Sequence, residues 1–473
     1  MKTNVNGATV YLPEDEIEDE CQEQIAEVAE HEAFSAEDIR VMPDTHWGSG
    51  APIGFTMPIQ DSVVPNIVGV DIGCGMAWAR LEGVTPEDWE DESWADDVDK
   101  AVRDAVPMGF NVRDEPAMHI VDEFPWDVCD EKLDKLLAHL DYDMTDTPDW
   151  FEGYGGEYFK TLCKRVGYDI NRAIMSLGSL GGGNHFIEFA HSVETDSVYV
   201  TLHSGSRGIG AEIAQHWQEK AHTATFKRNA EVEIPKSEWK YLDAPGHGIK
   251  WDEDDNEYVL VKAGDIEINR EAILEDYDGE AIEGKFGQLK QYMNAGKNDK
   301  DDLDWLEGTE AIGYYIDMIF AQTYAAESRR IMREEAAKAV GAELDYNSSG
   351  QSVHNYIDFD TGIIRKGATA AQRGEIAFIP YNMKDGSLLV RGKGNEEWNY
   401  SAPHGAGRVM SRTEAKNVLS ADDVEKEMEG IHTTNIPLDE APDSYKDMEL
   451  IETALQPTAD IVDRLKPLHN LKA

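Results

Sequence analysis

The chain has 473 residues, 41% of them hydrophobic, which is enough for a large buried core. It carries 94 acidic and 43 basic residues, a formal net charge of −51 at pH 7. Because the acids are spread from Glu14 to Glu452, we interpret them as a surface adapted to high salt, where a Debye length of about 3 Å means that acidity does not exclude a nucleic-acid partner.

The cysteines and the apolar pattern bear on the cellular compartment. The four cysteines, at positions 21, 74, 129 and 163, form no C-x-x-C pair, which is typical of a reduced cytosolic protein and excludes a disulfide scaffold. The first 20 residues are acidic and lack a basic leader with an apolar core, and no window approaches 18 consecutive apolar residues. We therefore predict a cytoplasmic protein that has no membrane span.

In chain order, the first predicted elements are a short helix over residues 20–34 and a strand over Ile39–Met42. This strand leads into the loop Pro43–Gly54. A β-rich run, Val63–Val70, predicts a strand that ends at Asp71 and places the following turn at a strand end.

The middle and the end of the chain predict a mixture of helices and strands. Between about 85 and 166 the sequence is acidic and helical with tryptophan-rich interruptions, which indicates a peripheral helical segment. Ser197–Leu202 alternates like a buried strand and delivers His203 to a loop, whereas apolar residues recur at helical spacing over Thr309–Val340. No repeat or low-complexity linker marks a domain boundary. The last predicted strands are Ile357–Ile363, Glu375–Ile379 and Ser387–Val390.

The sequence Asp71-Ile72-Gly73-Cys74-Gly75 is the first candidate site. A carboxylate and a thiolate three residues apart, on a turn relieved by glycines, can face a single cation. The alternative is a buried structural cysteine beside a capping aspartate. Taken alone, the motif does not decide between them.

Two further candidate motifs contain histidine. His185 follows three glycines and Asn184 and precedes Glu188, and such a run of glycines favours a close approach to the backbone over a simple tight turn. His203 precedes Ser204 and other small residues that end in Arg207, a guanidinium suited to phosphate. Either histidine could still be structural.

The sequence His404-Gly405-Ala406-Gly407-Arg408 combines an imidazole, two glycines and an arginine, which leaves room for a phosphorylated adduct on the imidazole. Arg365 and Lys366 add two cations to a chain that has few, so they need a reason to be there. By itself His354 resembles a histidine on a surface loop. The blocks point together to metal-assisted phosphoryl or nucleotidyl chemistry.

The ordered set of motifs resembles the RtcB family of RNA ligases over nearly the whole chain. The resemblance implies a single large α+β domain over 1–473, with β-sheets flanked by helices around a deep central metal site. The blocks that carry it are Met42–Gly48, Pro65–Met76, Leu177–Glu188, Leu202–Gly210, His354-Asn355, Arg365–Thr369, His404–Arg412 and Lys466–Leu468 with Lys472.

The same resemblance implies the chemistry. Members of this family use GTP and Mn²⁺ to join an RNA 3′-phosphate or 2′,3′-cyclic phosphate end, such as that of a tRNA half, to a 5′-hydroxyl end. An archease-type protein is the expected helper. By matching motif, Asp71, Cys74 and His185 would hold one Mn²⁺, while Cys74, His203 and His354 would hold the second. His404 would take GMP from GTP, and the nucleotide would be lined by Asn184, Glu188, Ser387, Gly405, Ala406, Gly407, Arg408, Tyr445 and Lys472.

The chain departs from the family pattern at three places without losing a predicted ligand or the nucleophile. Ile364 stands where the family usually has histidine, Ser328 stands where asparagine is expected, and Tyr381–Gly386 replaces a Gly-Ser-Met-Gly loop. The rival hypotheses are an enzyme that stops after guanylylating (capping) a nucleic-acid 3′-phosphate, a metal-dependent phosphodiesterase, and a non-enzymatic protein that binds RNA ends.

Overall fold

The computed structural model describes residues 2–243, 249–251, 257–295, 297, 301–434 and 437–473. The chain forms two compact units. The first contains Met1–Ser62, Asn66–Gln215 and Glu307–Ala473, and the second contains Val63–Pro65 and His216–Leu306. One functional domain over 1–473, with a peripheral helical segment at about 85–166, stays a prediction.

The helices follow the apolar periodicity of the sequence. Several begin at a side chain that caps their first free N–H groups, as Asp91 does for the helix that starts at Glu92. The α-helices are α1 (Asp19–Glu30), α2 (Glu92–Ala105), α3 (Trp126–Leu140), α4 (Gly156–Val166), α5 (Ile170–Ser176), α6 (Arg207–Asn229), α7 (Arg270–Asp276), α8 (Glu280–Met293), α9 (Gly308–Ala339), α10 (Arg412–Val418), α11 (Ala421–Glu427) and α12 (Met448–Leu455).

The strands lie in both units and range from two to sixteen residues in length. They are β1 (Thr3–Val5), β2 (Ala8–Val10), β3 (Arg40–Val41), β4 (Phe55–Pro58), β5 (Ser62–Val63), β6 (Cys74–Glu82), β7 (Phe186–Ser192), β8 (Val198–Ser204), β9 (Glu231–Pro235), β10 (Leu242–Asp243), β11 (Ile249–Trp251), β12 (Glu257–Lys262), β13 (Glu267–Ile268), β14 (Leu306–Glu307), β15 (Glu343–Asp358), β16 (Ile363–Lys366), β17 (Ala368–Ala370), β18 (Ile376–Asn382), β19 (Gly386–Gly392), β20 (Ser401–Pro403), β21 (His432–Thr433) and β22 (Ala459–Leu471).

One large sheet organises the first unit. Among the described residues, thirteen strands join in the order β1-β2-β3-β4-β16-β15-β6-β8-β7-β22-β19-β18, with β21 added beside β22. The neighbours β15, β6, β8 and β7 pair antiparallel at its centre. All seven residues of β8 are buried, as expected for a strand that is covered on both faces.

Helix α9 covers the centre of this sheet. It packs against β6, β8 and β15, and it also contacts α2 and α3. Its residues are buried nearly all round, so it is a core helix rather than an amphipathic surface helix. A large sheet with packed helices confirms the predicted α+β class. The predicted helix over Thr309–Val340 is confirmed as α9.

The second unit has its own small core. Strands β11, β12 and β9 form a three-stranded antiparallel sheet, and β10 pairs with β13. Side chains of β9 and β12 pack with Ile273 of α7 and Leu289 of α8. No described helix of either unit has the length and apolar character that a bilayer crossing requires.

Most short elements lie near their predicted positions, but two predicted strands are wrong. The run Val63–Val70 forms a two-residue strand and then a 3₁₀ turn at Pro65–Ile67, and the long strand begins after it, at Cys74. Ile357–Ile363 contains the turn between β15 and β16. His203 lies within β8 and not in a loop after it. Strand propensity alone does not distinguish a continuous strand from two strands joined by a turn.

Candidate metal and nucleotide site

The candidate metal ligands lie on adjacent elements at the centre of the large sheet. Cys74 is the first residue of β6, His203 lies on β8, and His185 directly precedes β7. Strand pairing places Met76 opposite His203 and Phe186 opposite His203, so these elements meet within two residues of the ligands. The sheet thereby brings together residues that are 111 and 129 positions apart in the chain.

His354 reaches the same place because β15 is irregular there. Val353 pairs with Gly75, and Asn355 pairs with the adjacent residue Cys74. His354 is therefore an extra residue of β15 that has no partner on β6. A β-bulge of this kind turns the extra side chain away from the regular alternation. This bulge explains why His354 is buried within the site although its motif resembles that of a loop histidine.

Cys74, His203 and His354 form the first donor group. The Cys74 Sγ lies 3.1 Å from His203 Nε2, which in turn lies 3.1 Å from His354 Nε2. His203 Nδ1 lies 3.2 Å from the carbonyl oxygen of Asn184, which can only accept a hydrogen bond. The proton of a neutral His203 therefore lies on Nδ1, and the lone pair of Nε2 points at the other two donors.

Burial keeps these two histidines neutral. It lowers the pKa of His203 to about 3 and that of His354 well below its usual range. Neutral imidazoles are the form that binds a cation. A divalent cation therefore fits this group, because two neutral imidazoles and a buried thiol, which would lose its proton to the metal, converge there.

Asp71, Cys74 and His185 form the second group, which shares the thiol. His185 Nε2 lies 3.0 Å from Asp71 Oδ2 and 3.6 Å from Cys74 Sγ. Burial by itself would raise the pKa of Asp71, but the adjacent His185 outweighs it and the pKa falls to about 2. In each group the donor atoms lie within 4.8 Å of one another. Carboxylate, thiolate and imidazole together suit a borderline cation such as Mn²⁺ or Zn²⁺.

Two features hold the Asp71–Cys74 turn in place. Arg329 of α9 is buried and donates from Nη1 to the carbonyls of Gly73 at 2.6 Å and Ser204 at 2.8 Å, which ties the turn to the end of β8. Gly205 leaves room for the carboxylate, because a Cβ atom there would lie 2.0 Å from Asp71 Oδ1. Residue 205 must therefore be glycine, because a side chain there would collide with the carboxylate of Asp71.

His404 follows β20, and the buried Asp44 orients its ring. Asp44 Oδ2 lies 2.8 Å from His404 Nδ1 and also accepts the backbone N–H of His404 at 3.1 Å. A carboxylate at Nδ1 places the proton of a neutral imidazole there and leaves the Nε2 lone pair free to attack. The His404 ring centroid lies 5.1 Å from that of His354, so the free nitrogen is beside the first donor group.

A cleft with about 720 Å³ of empty space opens beside these residues. Seven of the nine predicted nucleotide residues line it, but Gly407 and Arg408 do not. The cleft is lined by Asn184, Phe186, Glu188, His203, His354, Pro380, Tyr381, Asn382, Met383, Gly386, Ser387, His404, Gly405, Ala406, Glu440, Tyr445, Asn470 and Lys472.

One end of the cleft carries opposite charges. Glu440 Oε2 accepts from the Tyr445 hydroxyl at 2.7 Å and from Lys472 Nζ at 3.4 Å. Arg408 lies behind this group and donates from Nη1 to the Tyr445 hydroxyl at 3.3 Å. Glu188 also lines the cleft. It is only 3% exposed, its Oε1 has no hydrogen-bond partner among the described residues, and burial raises its pKa to about 8.

The remaining predicted residues have structural surroundings. Gly407 packs against the loop that holds His404, because a Cβ there would lie 2.8 Å from the Asp44 carbonyl oxygen. Arg207 donates to Ser179 and to the Gly109 carbonyl, so it supports backbone instead of facing the cleft. The fully buried Arg365 forms an ion pair with the partly buried Asp358 at 2.8 Å. This ion pair explains the presence of Arg365, one of the two basic residues at positions 365 and 366 for which the sequence offers no reason.

The sequence analysis missed two carboxylates. Asp44 lies in the block Met42–Gly48. Its only signal in the sequence is an acidic residue that follows a predicted strand, in a loop that contains glycine, and such a residue is common in this chain. Glu440 lies in an acidic stretch that gives no signal of its own among 94 acidic residues. Only the fold distinguishes these two from the solvated majority.

Comparison with known proteins identifies the family. The model of the family described as tRNA-splicing ligase RtcB matches residues 24–248 and 279–473. The chain belongs to the RtcB family. It is an RNA ligase, and the suspected resemblance is confirmed. The unmatched residues 249–278 belong to the second unit.

Relatives in the RtcB family match nearly the full chain. The RNA-splicing ligase RtcB of Escherichia coli strain K12 is 28% identical over 457 residues, which cover 95% of this chain and 93% of that protein. The tRNA-splicing ligase RtcB of Nanoarchaeum equitans is 24% identical and covers 91% of this chain and 87% of its own length. That of Aeropyrum pernix is 25% identical, with 90% and 86% covered.

Proposed function

We propose that this RtcB-family ligase uses GTP and Mn²⁺ to join RNA ends that bear a 3′-phosphate or a 2′,3′-cyclic phosphate to 5′-hydroxyl ends. The observation that carries the proposal is the position of His404, which is oriented by Asp44 beside two donor groups that share one thiol. Tyr445 and Lys472 line the same cleft as His404, so a nucleotide bound there would reach the imidazole.

In this proposal His404 is the nucleophile. Its Nε2 lone pair attacks the α-phosphorus of GTP, a nitrogen–phosphorus bond forms, and pyrophosphate leaves. An oxygen of the RNA 3′-phosphate then displaces the imidazole and takes the GMP. The 5′-hydroxyl attacks the RNA phosphorus, GMP leaves, and a phosphodiester remains. A cyclic end is first hydrolysed to the 3′-phosphate.

Asp71, Cys74 and His185 would hold one cation, and Cys74, His203 and His354 the other. Two divalent cations held by groups that share one ligand would neutralise charge on the attacking and leaving oxygens of phosphoryl transfer. The protein's own contribution is to keep the imidazoles neutral by burial and to fix the turn that carries Asp71.

The charged end of the cleft matches the edge of guanine. The N1–H and 2-amino groups of guanine are donors that Glu188 would accept as a carboxylate, its proton leaving when the base binds, while O6 accepts from an ammonium such as Lys472. Adenine presents a donor where guanine has O6, so the same pair would oppose it. Tyr445 would stack on the base, and Asn184, Ser387, Gly405 and Ala406 would contact the ribose and phosphates.

Labelling with α-³²P-GTP tests the first step. The protein is incubated with Mn²⁺ and labelled GTP in high salt, and acid-labile label on the protein is measured before RNA with 3′-phosphate and 5′-hydroxyl ends is added. We expect label and joined RNA for the natural chain and neither for His404→Ala, whereas His191→Ala, an alteration outside the cleft, retains both. Absence of histidine-dependent label contradicts the proposal, and label without joined RNA supports the capping alternative.

The shared thiol makes a sharper test of the metal assignment. Titration with Mn²⁺ by calorimetry should give two sites for the natural chain and one for either His354→Ala or His185→Ala. Cys74→Ala should lose both sites, because its sulfur belongs to both groups. Cys163→Ala, a buried cysteine in α4, serves as control. One remaining site in Cys74→Ala would contradict the sharing.

The biological setting is also part of the proposal. The substrates would be tRNA halves or broken RNA, the location the cytoplasm, and an archease-type protein the helper. Supporting this, the four cysteines at positions 21, 74, 129 and 163 are all free, as in a reducing compartment.

A further inference from the structure

Two exposed aromatic side chains belong to the loops that surround the candidate site, and neither has a role in the proposed chemistry. Phe110 is 93% exposed and Trp47 is 54% exposed. Each would lose unfavourable contact with water if something covered it. Their positions relative to the cleft indicate what that partner is.

Phe110 lies beside the residues that carry the second donor group. The preceding Gly109 accepts a 2.7 Å hydrogen bond from Arg207 at its carbonyl, and the Phe110 carbonyl accepts one of 3.1 Å from Arg172. A Cβ at Gly182 would lie 4.0 Å from the Cα of Gly109. Since Gly182 precedes His185 by three residues, the loop that carries Phe110 lies against the glycine turn that leads to His185.

Trp47 lies on the His404 side, three residues after Asp44. Its loop is fixed by neighbouring contacts. The Gly48 N–H donates to Gln24 Oε1 at 3.2 Å, the Gly48 carbonyl accepts from the same side chain, and Lys366 Nζ donates to the Ser49 carbonyl. The exposed indole is therefore carried by a loop that hydrogen bonds hold in place, three residues from the Asp44 that orients His404.

The charge of the molecule restricts how it binds RNA. With 94 acidic and 43 basic residues, the long-range field repels a polyanion, and where salt screens that repulsion it also removes the attraction between phosphates and cations. Stacking of bases on aromatic rings is short-range and independent of net charge, and every base offers a face for it. A ligase must also hold two strands, one on each side of the junction.

We propose that Phe110 and Trp47 are stacking sites for unpaired bases next to the RNA ends, Phe110 on the loop that lies against the turn before His185 and Trp47 on the loop that carries Asp44. This inference rests on the RNA substrate of the proposed function but not on GTP or on the histidine adduct. The competing occupant, a helper protein, is tested by using purified protein and RNA alone.

Binding is measured with a fluorescent single-stranded RNA that bears a 3′-phosphate, with Mn²⁺ and without GTP, at low and at molar salt. We expect Phe110→Ala and Trp47→Ala each to weaken binding roughly 5- to 100-fold at both salt concentrations, which is the range for loss of one stacked base. Phe110→Trp and Trp47→Phe each keep an aromatic ring, so these variants should bind the RNA about as tightly as the natural chain. The matched control is Tyr346→Ala, which alters another exposed aromatic residue, 63% exposed, eight residues before His354 on β15.

RNA that lacks one base at successive positions identifies the stacked nucleotide. At the correct position, loss of the base and loss of the ring should not add, since both remove the same contact. Unchanged RNA affinity in Phe110→Ala and Trp47→Ala overturns the proposal, as does a defect that appears only when a helper protein is added. Labelling of His404 by GTP, which needs no RNA, is measured in parallel, so a failure of the proposed chemistry is read separately.

Discussion

At the scale of single residues, the site depends on where protons are held. Burial lowers the pKa of His203 to about 3 and raises that of Glu188 to about 8, so the imidazole is neutral and the carboxyl is largely protonated near pH 7. Asp44 fixes the tautomer of His404 by a hydrogen bond to Nδ1. The neutral state of His203 prepares it for a cation, and the tautomer of His404 prepares it for an electrophile.

The role of Asp44 gives the first residue-scale prediction. In Asp44→Asn the amide can donate to Nδ1, which would move the proton of His404 to Nε2 and remove the attacking lone pair. We expect the rate of GMP transfer to His404 to fall about 100-fold or more, while circular dichroism is unchanged. Asp61→Asn, an exposed aspartate, is the control. A rate within about threefold of the natural chain would contradict this role for Asp44.

Glu188 gives the second residue-scale prediction, which concerns how the stability of the protein depends on pH. Its pKa is about 8 in the folded protein against an ordinary value of 4.5, because burial disfavours the charged form, so the folded state binds the proton more tightly. The contribution of Glu188 to stability is therefore complete below about pH 4.5 and is lost as the pH rises towards 8. Glu188→Gln does not titrate, so it should gain stability relative to the natural chain over that window.

Urea unfolding at pH 5 and pH 8 measures this gain. We expect the difference in unfolding free energy between Glu188→Gln and the natural chain to grow by a few kcal/mol from the lower to the higher pH. Glu194→Gln, on an exposed turn two residues beyond the end of β7, should show no such change. A difference that is the same at both pH values would mean that Glu188 is charged in the folded state.

At the scale of elements, the site is made where strands end or bulge. β6 begins at Cys74, the bulge in β15 presents His354, and α9 reaches across with Arg329 to tie two backbone segments together. Arg329 has no carboxylate partner within ion-pair distance among the described residues, and burial lowers its pKa to about 10. Its hydrogen bonds to carbonyls are what hold it there.

Arg329 and its neighbour Arg330 offer a matched comparison on one helix. Arg329→Met leaves two buried carbonyls without a donor, so we expect the free energy of unfolding to fall by about 2–4 kcal/mol, with weaker Mn²⁺ binding because the Asp71–Cys74 turn loosens. Arg330→Ala removes only half-exposed ion pairs with Glu327 and Glu334 and should cost about 0.5 kcal/mol. If urea titrations give equal losses of unfolding free energy for the two variants, Arg329 does not stabilise the fold through its hydrogen bonds to the two carbonyls.

At the scale of the whole molecule, the net charge of −51 is the dominant property. Repulsion among surface carboxylates opposes compaction at low ionic strength, and salt shortens its range from about 10 Å at 0.1 M to about 3 Å at 1 M. We therefore expect the unfolding temperature to rise with KCl over this interval, as measured by calorimetry. A melting temperature that does not change, or that falls, would contradict the interpretation of the surface as adapted to salt.

The agreement between sequence and structure differs from element to element. The helix α9 and the strands β8, β18 and β19 were predictable because their apolar spacing is sustained over their whole length. The run Val63–Val70 was not, since its valines have strand propensity but fold into a short strand followed by a 3₁₀ turn. Neighbouring structure overrides propensity in such short segments.

The sequence alone determined which kinds of chemistry the chain contains. The glycine-rich blocks, with their histidines, Asp71 and Cys74, fix the available donors and nucleophile, and their order was sufficient to indicate the family. Through the family it also indicated the class of fold, while sustained apolar periodicity located single elements such as α9.

Only the tertiary structure decided which residues act together. Neither the bulge that presents His354 nor the selection of Asp44 and Glu440 from 94 acidic residues has a local signal. The physical reason is that pKa values, tautomers and metal geometry depend on burial and on atoms a few ångströms away, and those atoms come from segments hundreds of residues apart in the chain.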